Sequence, residues 1–320
     1  MTVMPERSGV AARLREEGGP PSVSFELYPP RTAAGMTALK TTVERLADAR
    51  PDFVSVTYGA SGSTRETSRD VVRWVRATTD ARVVAHLTCV GAPWDEVRRV
   101  AEGFLEDGVR DLLALRGDPP RGVPEWRPHP EGLRSGAELV ARLRELADDL
   151  GEPVSLGVAA TPSARWAAPP QLPEPYDDDI QALLAKQAAG ADYAITQVFF
   201  EPTRYAAYVA AARAAGVTIP VVPGVVPLAD PARLRRLQEI SGGSVPPSVL
   251  VRLDTSPLAE RADVGLRLGV GLVHRVLEAG APGIHLYTFN QHEAVLRLLD
   301  GIRLRRPPRH VRVEPADPLG

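Results

Sequence analysis

Glu26 is the first residue in the chain that invites a chemical reading. It stands in the run Val23-Ser24-Phe25-Glu26-Leu27-Tyr28, closed by Pro29-Pro30, which has the length and composition of a buried strand. A carboxylate at such a position is expensive to ionise and suits a general acid. A buried pair with Arg31 or Arg116 is the structural alternative, but single charges in buried strands are rare enough to favour function. A second charged cluster follows Asp111-Leu112-Leu113-Ala114-Leu115, which ends in Arg116-Gly117-Asp118. In α/β proteins the C-terminal mouth of a strand is where ligands bind and chemistry is done. There the alternative is a rim ion pair between Arg116 and Asp118.

Thr57, His86, Gln197, Tyr287 and Asn290 also fall within or just after apolar runs. His86 reads equally as a satisfied core histidine or a ligand contact. Taken alone, Tyr287 and Cys89 read as packing. No His-x-His or carboxylate pair falls at ligand spacing on one strand, so a metal is not expected.

These residues need strands to carry them. Eight strand-like runs are legible, at 23–28, 53–59, 83–89, 111–115, 154–160, 193–200, 221–226 and 283–290, each followed by a helical segment. Helix starts are marked by the capping boxes Ser63-Thr64-Arg65-Glu66 and Ser135-Gly136-Ala137-Glu138, by Pro93 and Pro202, and by Asp230-Pro231. Asp177, Asp178 and Asp179 suit the positive end of another helix. Strands alternating with helices imply a parallel sheet, and eight units imply a (β/α)₈ TIM barrel with additional helices. A dinucleotide-binding open sheet would show Gly-x-Gly-x-x-Gly after an early strand, and none is present. The expected organisation is one barrel domain over residues 21–305, flanked by flexible tails at 306–320 and at 1–20, where the stretch from Val10 to Glu17 suits a helical turn or two. Two Pro-rich loops, at 119–134 and 161–176, fall at the expected mouth and suit lids or cofactor clamps.

Composition narrows the partners. A hydrophobic fraction of 44% and a charged fraction of 24% are those of a globular chain able to bury a core. A net charge of -2 with no basic block argues against nucleic acid. No apolar run is long enough to span a bilayer, nothing at the start resembles a signal peptide, and the one cysteine forms no internal disulfide. A cytoplasmic protein acting on a small molecule is expected, with monomer and homo-oligomer both open.

Seven stretches, in order, carry a resemblance. They are Phe25-Glu26-Leu27-Tyr28-Pro29-Pro30-Arg31, Val54-Ser55-Val56-Thr57-Tyr58-Gly59-Ala60, His86-Leu87-Thr88-Cys89, Leu115-Arg116-Gly117-Asp118, Ala194-Ile195-Thr196-Gln197 with Phe199-Phe200, Pro223-Gly224 and His285-Leu286-Tyr287-Thr288-Phe289-Asn290. Over about residues 22–304 the chain resembles the 5,10-methylenetetrahydrofolate reductase family, of the bacterial catalytic-domain type. The resemblance implies a flavoprotein barrel in which NADH or NADPH passes hydride to FAD and FAD passes it to methylenetetrahydrofolate. It implies that Glu26 is the acid opening the methylene bridge to an iminium, with Asp118 near flavin and pterin. Thr57, His86, Arg116, Gly117, Asp118, Asp179 and Lys186 would hold FAD. Gln197, counted with Glu26 and Asp118 as catalytic, would contact folate and nicotinamide in turn, and Asp118 and Tyr287 would meet the folate substrate.

The chain also departs from the family. Where relatives carry Tyr-Pro-Glu-x-His-Pro-Glu after strand five, it reads Thr161-Pro162-Ser163-Ala164-Arg165-Trp166. Ser135 and Leu237 stand where relatives have aromatics, and Gln291 stands where they have an arginine suited to the folate glutamate tail. FAD binding is therefore expected to be weakened or lost, with Arg165 offering charge and Trp126 or Trp166 a stacking ring. Two alternatives stand beside the reductase: flavin-free hydride transfer from NADH, and a folate-binding barrel without turnover.

Overall fold

Strand residues that alternate between two apolar environments can close a sheet on itself, filling the inside with one set of side chains and covering the outside with the other. The computed structural model, which describes residues 9–58, 62–118, 127–160, 177–198, 200–228, 230–241 and 245–304, has this arrangement. In chain order the first half is α1 (Val10–Leu14), β1 (Ser22–Leu27), α2 (Ala33–Ala47), β2 (Phe53–Val56), α3 (Gly62–Thr78), β3 (Arg82–Thr88), α4 (Trp94–Glu106) and β4 (Asp111–Leu115). The second half is α5 (Gly136–Leu150), β5 (Ser155–Ala160), α6 (Asp177–Ala188), β6 (Tyr193–Val198), α7 (Pro202–Ala214) and β7 (Val221–Val225), then α8 (Pro231–Ser241), α9 (Pro247–Thr255), α10 (Leu258–Glu278), β8 (Gly283–Tyr287) and α11 (Glu293–Gly301). All eight strands pair in parallel, in sequence order, and β8 closes on β1: a TIM barrel in one domain.

Outward-facing Val23, Phe25 and Leu27 of β1 join Leu39, Val43 and Leu46 of α2 in the sheet–helix core. Inward-facing Phe53, Val84, Leu113, Tyr193, Ile195 and Val222 fill the lower barrel. The two cores take up most of the apolar strand residues, so the polar ones at the upper inward positions stand out. Among the described residues, no helix is long and apolar enough to cross a membrane.

Helix ends follow the expected chemistry. Ser135 Oγ accepts from Glu138 N at 3.1 Å. The returning Glu138 carboxylate accepts from Arg134 N rather than from Ser135 N, at 2.8 Å. Asp230 Oδ1 accepts from Ala232 N and Arg233 N at the start of α8. The opening side chains of α3, including Ser63, lie outside the described residues.

The expected N-terminal tail requires correction. Val10, Ala11 and Leu14 of α1 are buried, joining the core inside the barrel. Val10 N donates to Asp111 Oδ1 at 2.8 Å, Ala11 N to Ser155 Oγ at 3.2 Å, and Arg13 Nε to Asp52 Oδ1 at 2.7 Å. All three acceptors stand at the N-terminal ends of strands, so α1 is the barrel's floor. Burial pushes the Asp111 carboxyl up, opposed by the Val10 amide. The helical turn expected from Val10 onward is present, but a five-residue helix has too little periodicity to show a buried face, and long-range partners hold it. The expected tail at 306–320 and residues 1–8 lie outside the described residues.

Candidate active site

Period-two alternation sends Ser22, Ser24 and Glu26 of β1 inward, and in β8 it does the same for Gly283, His285 and Tyr287. The register pairs Ser24 with His285 and Glu26 with Tyr287. Two imidazoles face the same oxygen of Glu26: His285 Nε2 lies 3.7 Å from Oε2 and His86 Nε2 lies 3.8 Å from it. The Glu26 side chain keeps 21% of its surface exposed, while His86 and His285 lie almost wholly beneath. Neither Arg31 nor Arg116 pairs with Glu26, so the buried arginine pair is replaced by two histidines. Burial holds the His86 imidazole down at about 4, against a smaller opposing pull from Glu26 and a further push from His285. His86 is therefore neutral at physiological pH, and its Nε2 has no hydrogen-bond partner. It lies under the acid rather than at the mouth.

The backbone above Glu26 is tied to the end of β8. Thr288 Oγ1 donates to Glu26 O at 2.7 Å. Asn290 accepts from Tyr28 N at 3.1 Å and donates to Tyr28 O at 2.8 Å. Phe289 and Asn290 have φ of 50° and 54°, a left-handed conformation costing about 1–3 kcal/mol per residue. The bonds to Asn290 and Tyr28 hold that turn in place. Tyr287 closes the other side: its hydroxyl donates to Thr196 O at 3.0 Å, with burial and then the Glu26 charge holding the phenol well above its ordinary range. Its ring lies against Gly224, where a Cβ would meet Tyr287 Cε2 at 2.6 Å and Thr196 O at 2.4 Å. Gln197, next on β6, accepts from Val198 N at 3.0 Å; its amide nitrogen has no partner among the described residues.

At the mouth of β4, Arg116 and Asp118 are exposed and do not pair with each other. Arg116 Nε donates to Gly117 O at 3.3 Å. Gly117 has φ of 84°, and a Cβ there would lie 2.5 Å from Val90 Cγ1, so the turn admits only glycine. The start of α5 comes close: a Cβ on Gly136 would lie 3.5 Å from Lys186 Cε and 3.8 Å from Arg116 N. Lys186 Nζ donates to Ala159 O at 2.7 Å. Burial lowers the Lys186 ammonium, Asp179 opposes this, and the like charge of Arg116 adds to it. The Lys186 side chain and the Arg116 backbone thus meet at the start of α5, within reach of the Arg116 charge, and cations at a helix N-terminus are a donor set that fits a diphosphate. Thr57, half-buried past the end of β2, donates its N–H to Leu27 O at 2.9 Å. Burial pushes the Cys89 thiol up to about 11, consistent with packing. Trp126, Thr161, Arg165 and Trp166 lie outside the described residues.

Two contributors escaped the sequence reading. His285 could have been found from its period-two spacing to Tyr287. Arg233 of α8 could not, because only the fold brings it to Gln291. Its Nη1 donates to Gln291 Oε1 at 2.7 Å, and its guanidinium lies 5.3 Å from the Phe289 ring centre. Pro227, Asp230, Arg233, Thr288, Phe289 and Gln291 line a cleft of about 460 Å³ including its open side. Among the described residues, no group of three or more His, Cys, Asp or Glu gathers to hold a metal ion.

A closed barrel carrying an acid over buried histidines at its C-terminal mouth defines a TIM-barrel protein with its site on the usual catalytic face. The sequence matches the methylenetetrahydrofolate reductase family over residues 12–303, and the chain belongs to that family. It is 30% identical over 292 residues to the 5,10-methylenetetrahydrofolate reductase of Salmonella typhimurium, covering 90% of this chain and 93% of that protein. It is 31% identical over 293 residues to the enzyme of the same name from Pectobacterium carotovorum, covering 90% and 92%. A probable methylenetetrahydrofolate reductase (NADH) of rice is 29% identical over 88% of this chain, which spans only 48% of that longer protein. Among solved structures, a Clostridium thermocellum protein described as binding two copies of 5-methyl-5,6,7,8-tetrahydrofolic acid shares the fold, with a TM-score of 0.57 and 13% identity over 89% of this chain and 95% of that one.

Proposed function

We propose that this chain reduces 5,10-methylenetetrahydrofolate to 5-methyltetrahydrofolate with hydride from NADH or NADPH. The observation that carries the reading is the Glu26 carboxyl, part-exposed at the mouth and backed by two imidazoles. In its acid form Glu26 protonates the bridging amine of the folate. The bond from that nitrogen to the methylene carbon then breaks, leaving an iminium that accepts hydride to become the methyl group. Asp118, exposed at the β4 mouth, stabilises the positive charge developing on the substrate. Gln197 offers its amide N–H to the pterin, and Tyr287 shapes the wall beside it.

Arg116, Lys186 and the α5 N-terminus would hold the diphosphate of FAD, with Gly117 letting the backbone approach and Thr57, Asp118 and Asp179 completing the edge. A flavin bound there supplies a hydride carrier between nicotinamide and folate. His86, expected among the cofactor residues, belongs in this proposal to the floor beneath the acid. Arg233 takes the place of the arginine that Gln291 replaces: it presents a cation at the cleft that Thr288, Phe289 and Gln291 line, suited to the glutamate tail of folate.

The test is formation of 5-methyltetrahydrofolate from NADH and methylenetetrahydrofolate, with and without added FAD. Turnover that rises with FAD supports the full reading. Turnover indifferent to FAD in flavin-free protein points to direct hydride transfer. Folate binding without turnover under either condition overturns the enzyme reading in favour of a binding barrel.

A further inference from the structure

Among the described residues the Glu26 carboxyl makes no hydrogen bond, and the two imidazoles beneath it stand off at 3.7 and 3.8 Å. Its aim is therefore set by the backbone that carries it. That backbone runs out of sheet just beyond the acid. Pairing with β8 ends at Glu26 and Tyr287, and pairing with β2 ends at Leu27 and Val56. Backbone groups alternate along a strand. Those of Glu26 face β8, where Thr288 N and Oγ1 donate to Glu26 O at 3.4 and 2.7 Å. Leu27 faces β2, accepting from Thr57 N at 2.9 Å, so Tyr28 faces β8 again. By then β8 has ended, and Pro29 and Pro30 have no N–H with which to extend a ladder.

One side chain fills the gap. Tyr28 N donates to Asn290 Oδ1 at 3.1 Å, and Asn290 Nδ2 donates to Tyr28 O at 2.8 Å, as a strand neighbour would. A flipped amide would set donor against donor and acceptor against acceptor, so its orientation is fixed. Asn290 is itself held on two sides: its N–H donates to Thr288 Oγ1 at 3.0 Å, and Thr42 Oγ1 of α2 donates to its carbonyl at 3.1 Å. Its φ of 54° is one that asparagine tolerates better than most side chains, and aspartate or glycine in its place would lack the donor.

We propose that Asn290 is a positioning residue for Glu26: its side-chain amide replaces the missing β8 rung at Tyr28 and fixes the strand end from which the acid projects. Tyr28 is 45% exposed, so water can satisfy its backbone when the amide is removed. Loss of the clamp thus costs little stability and frees the aim of the acid. The catalytic role rests on the reductase reading; the clamp itself does not.

The test is Asn290→Gly, since glycine keeps the left-handed backbone without strain and removes only the amide. Hydrogen exchange at the Tyr28 amide should run about two- to tenfold faster than in wild type, the range one neutral hydrogen bond covers. Single-turnover folate reduction at saturating folate should fall about ten- to hundredfold, as for a displaced reacting group. NADH reduction of added FAD without folate, and the urea midpoint, should stay close to wild type. Should Asn290→Gly fail to fold, Asn290→Asp keeps the acceptor for Tyr28 N and loses the donor to Tyr28 O; its folate rate should fall while Tyr28 stays protected. Unchanged exchange at Tyr28 in Asn290→Gly overturns the clamp. An undiminished folate rate in either variant overturns the positioning role, and loss of the folate and flavin rates together makes Asn290 merely structural. The exchange measurement requires no turnover, so failure of the clamp and failure of the reductase reading are separable.

Discussion

Acidification should strain this fold at His86. The imidazole is 4% exposed, and burial holds it at about 4 against an ordinary 6.5. The folded state therefore keeps His86 neutral where the unfolded chain protonates it. Its contribution to stability is fully present above about 6.5 and is lost as pH falls toward 4. From pH 7 to pH 5 about 1.5 units of that window are crossed, at about 1.4 kcal/mol per unit, or about 2 kcal/mol. Urea unfolding at the two pH values, in wild type and His86→Gln, isolates this term because glutamine does not titrate. Making the comparison in a Glu26→Gln background removes the facing carboxylate from the balance. The wild-type histidine should cost about 2 kcal/mol more than glutamine on moving from pH 7 to pH 5. Equal pH slopes would show that His86 is not a buried neutral group, and the account of the acid's floor would fail with it.

Three other perturbations address separate parts of the site. Asp118→Asn should slow folate reduction more than about tenfold, since it removes a charge that stabilises the developing iminium; single-turnover rates with saturating folate decide this. Arg233→Ala should raise KM for folate about three- to tenfold with little change in kcat, the worth of one charge-assisted contact at a part-exposed site. Equal KM values would remove Arg233 from the folate subsite. Gly224→Ala should destabilise the barrel by about 1–3 kcal/mol, because the added methyl meets the Thr196 carbonyl as well as the Tyr287 ring; an unchanged thermal midpoint would contradict that packing.

The barrel was legible because each strand shows a short apolar run and each helix a stop and a start, and those signals are local. Glu26 was legible for the same reason, as a charge in an apolar strand. Its partners were not. His86 and His285 lie 60 and 259 residues further along the chain, and only closure of β8 on β1 brings His285 beneath the acid. Arg31 and Arg116 were the nearer choices by type, but both lie on the exposed rim. The α1 plug was missed because Asp111, which caps it, reads in sequence as the start of a strand. Arg116 and Lys186 were expected together only through the family resemblance; in the structure the start of α5 lies against the Arg116 backbone and the Lys186 side chain, a contact no local pattern announces.

The central claim is that Glu26 donates the proton that opens the folate bridge. Its most direct test is Glu26→Gln, with two rates followed: 5-methyltetrahydrofolate formation, and reduction of added FAD by NADH in the absence of folate. Glutamine keeps the shape and removes the transferable proton. The account predicts a loss of about 10²–10⁴-fold in folate reduction, with the flavin half-reaction within a fewfold of wild type. Folate reduction at the wild-type rate would contradict the claim, and loss of both rates together would make Glu26 a structural residue rather than the acid.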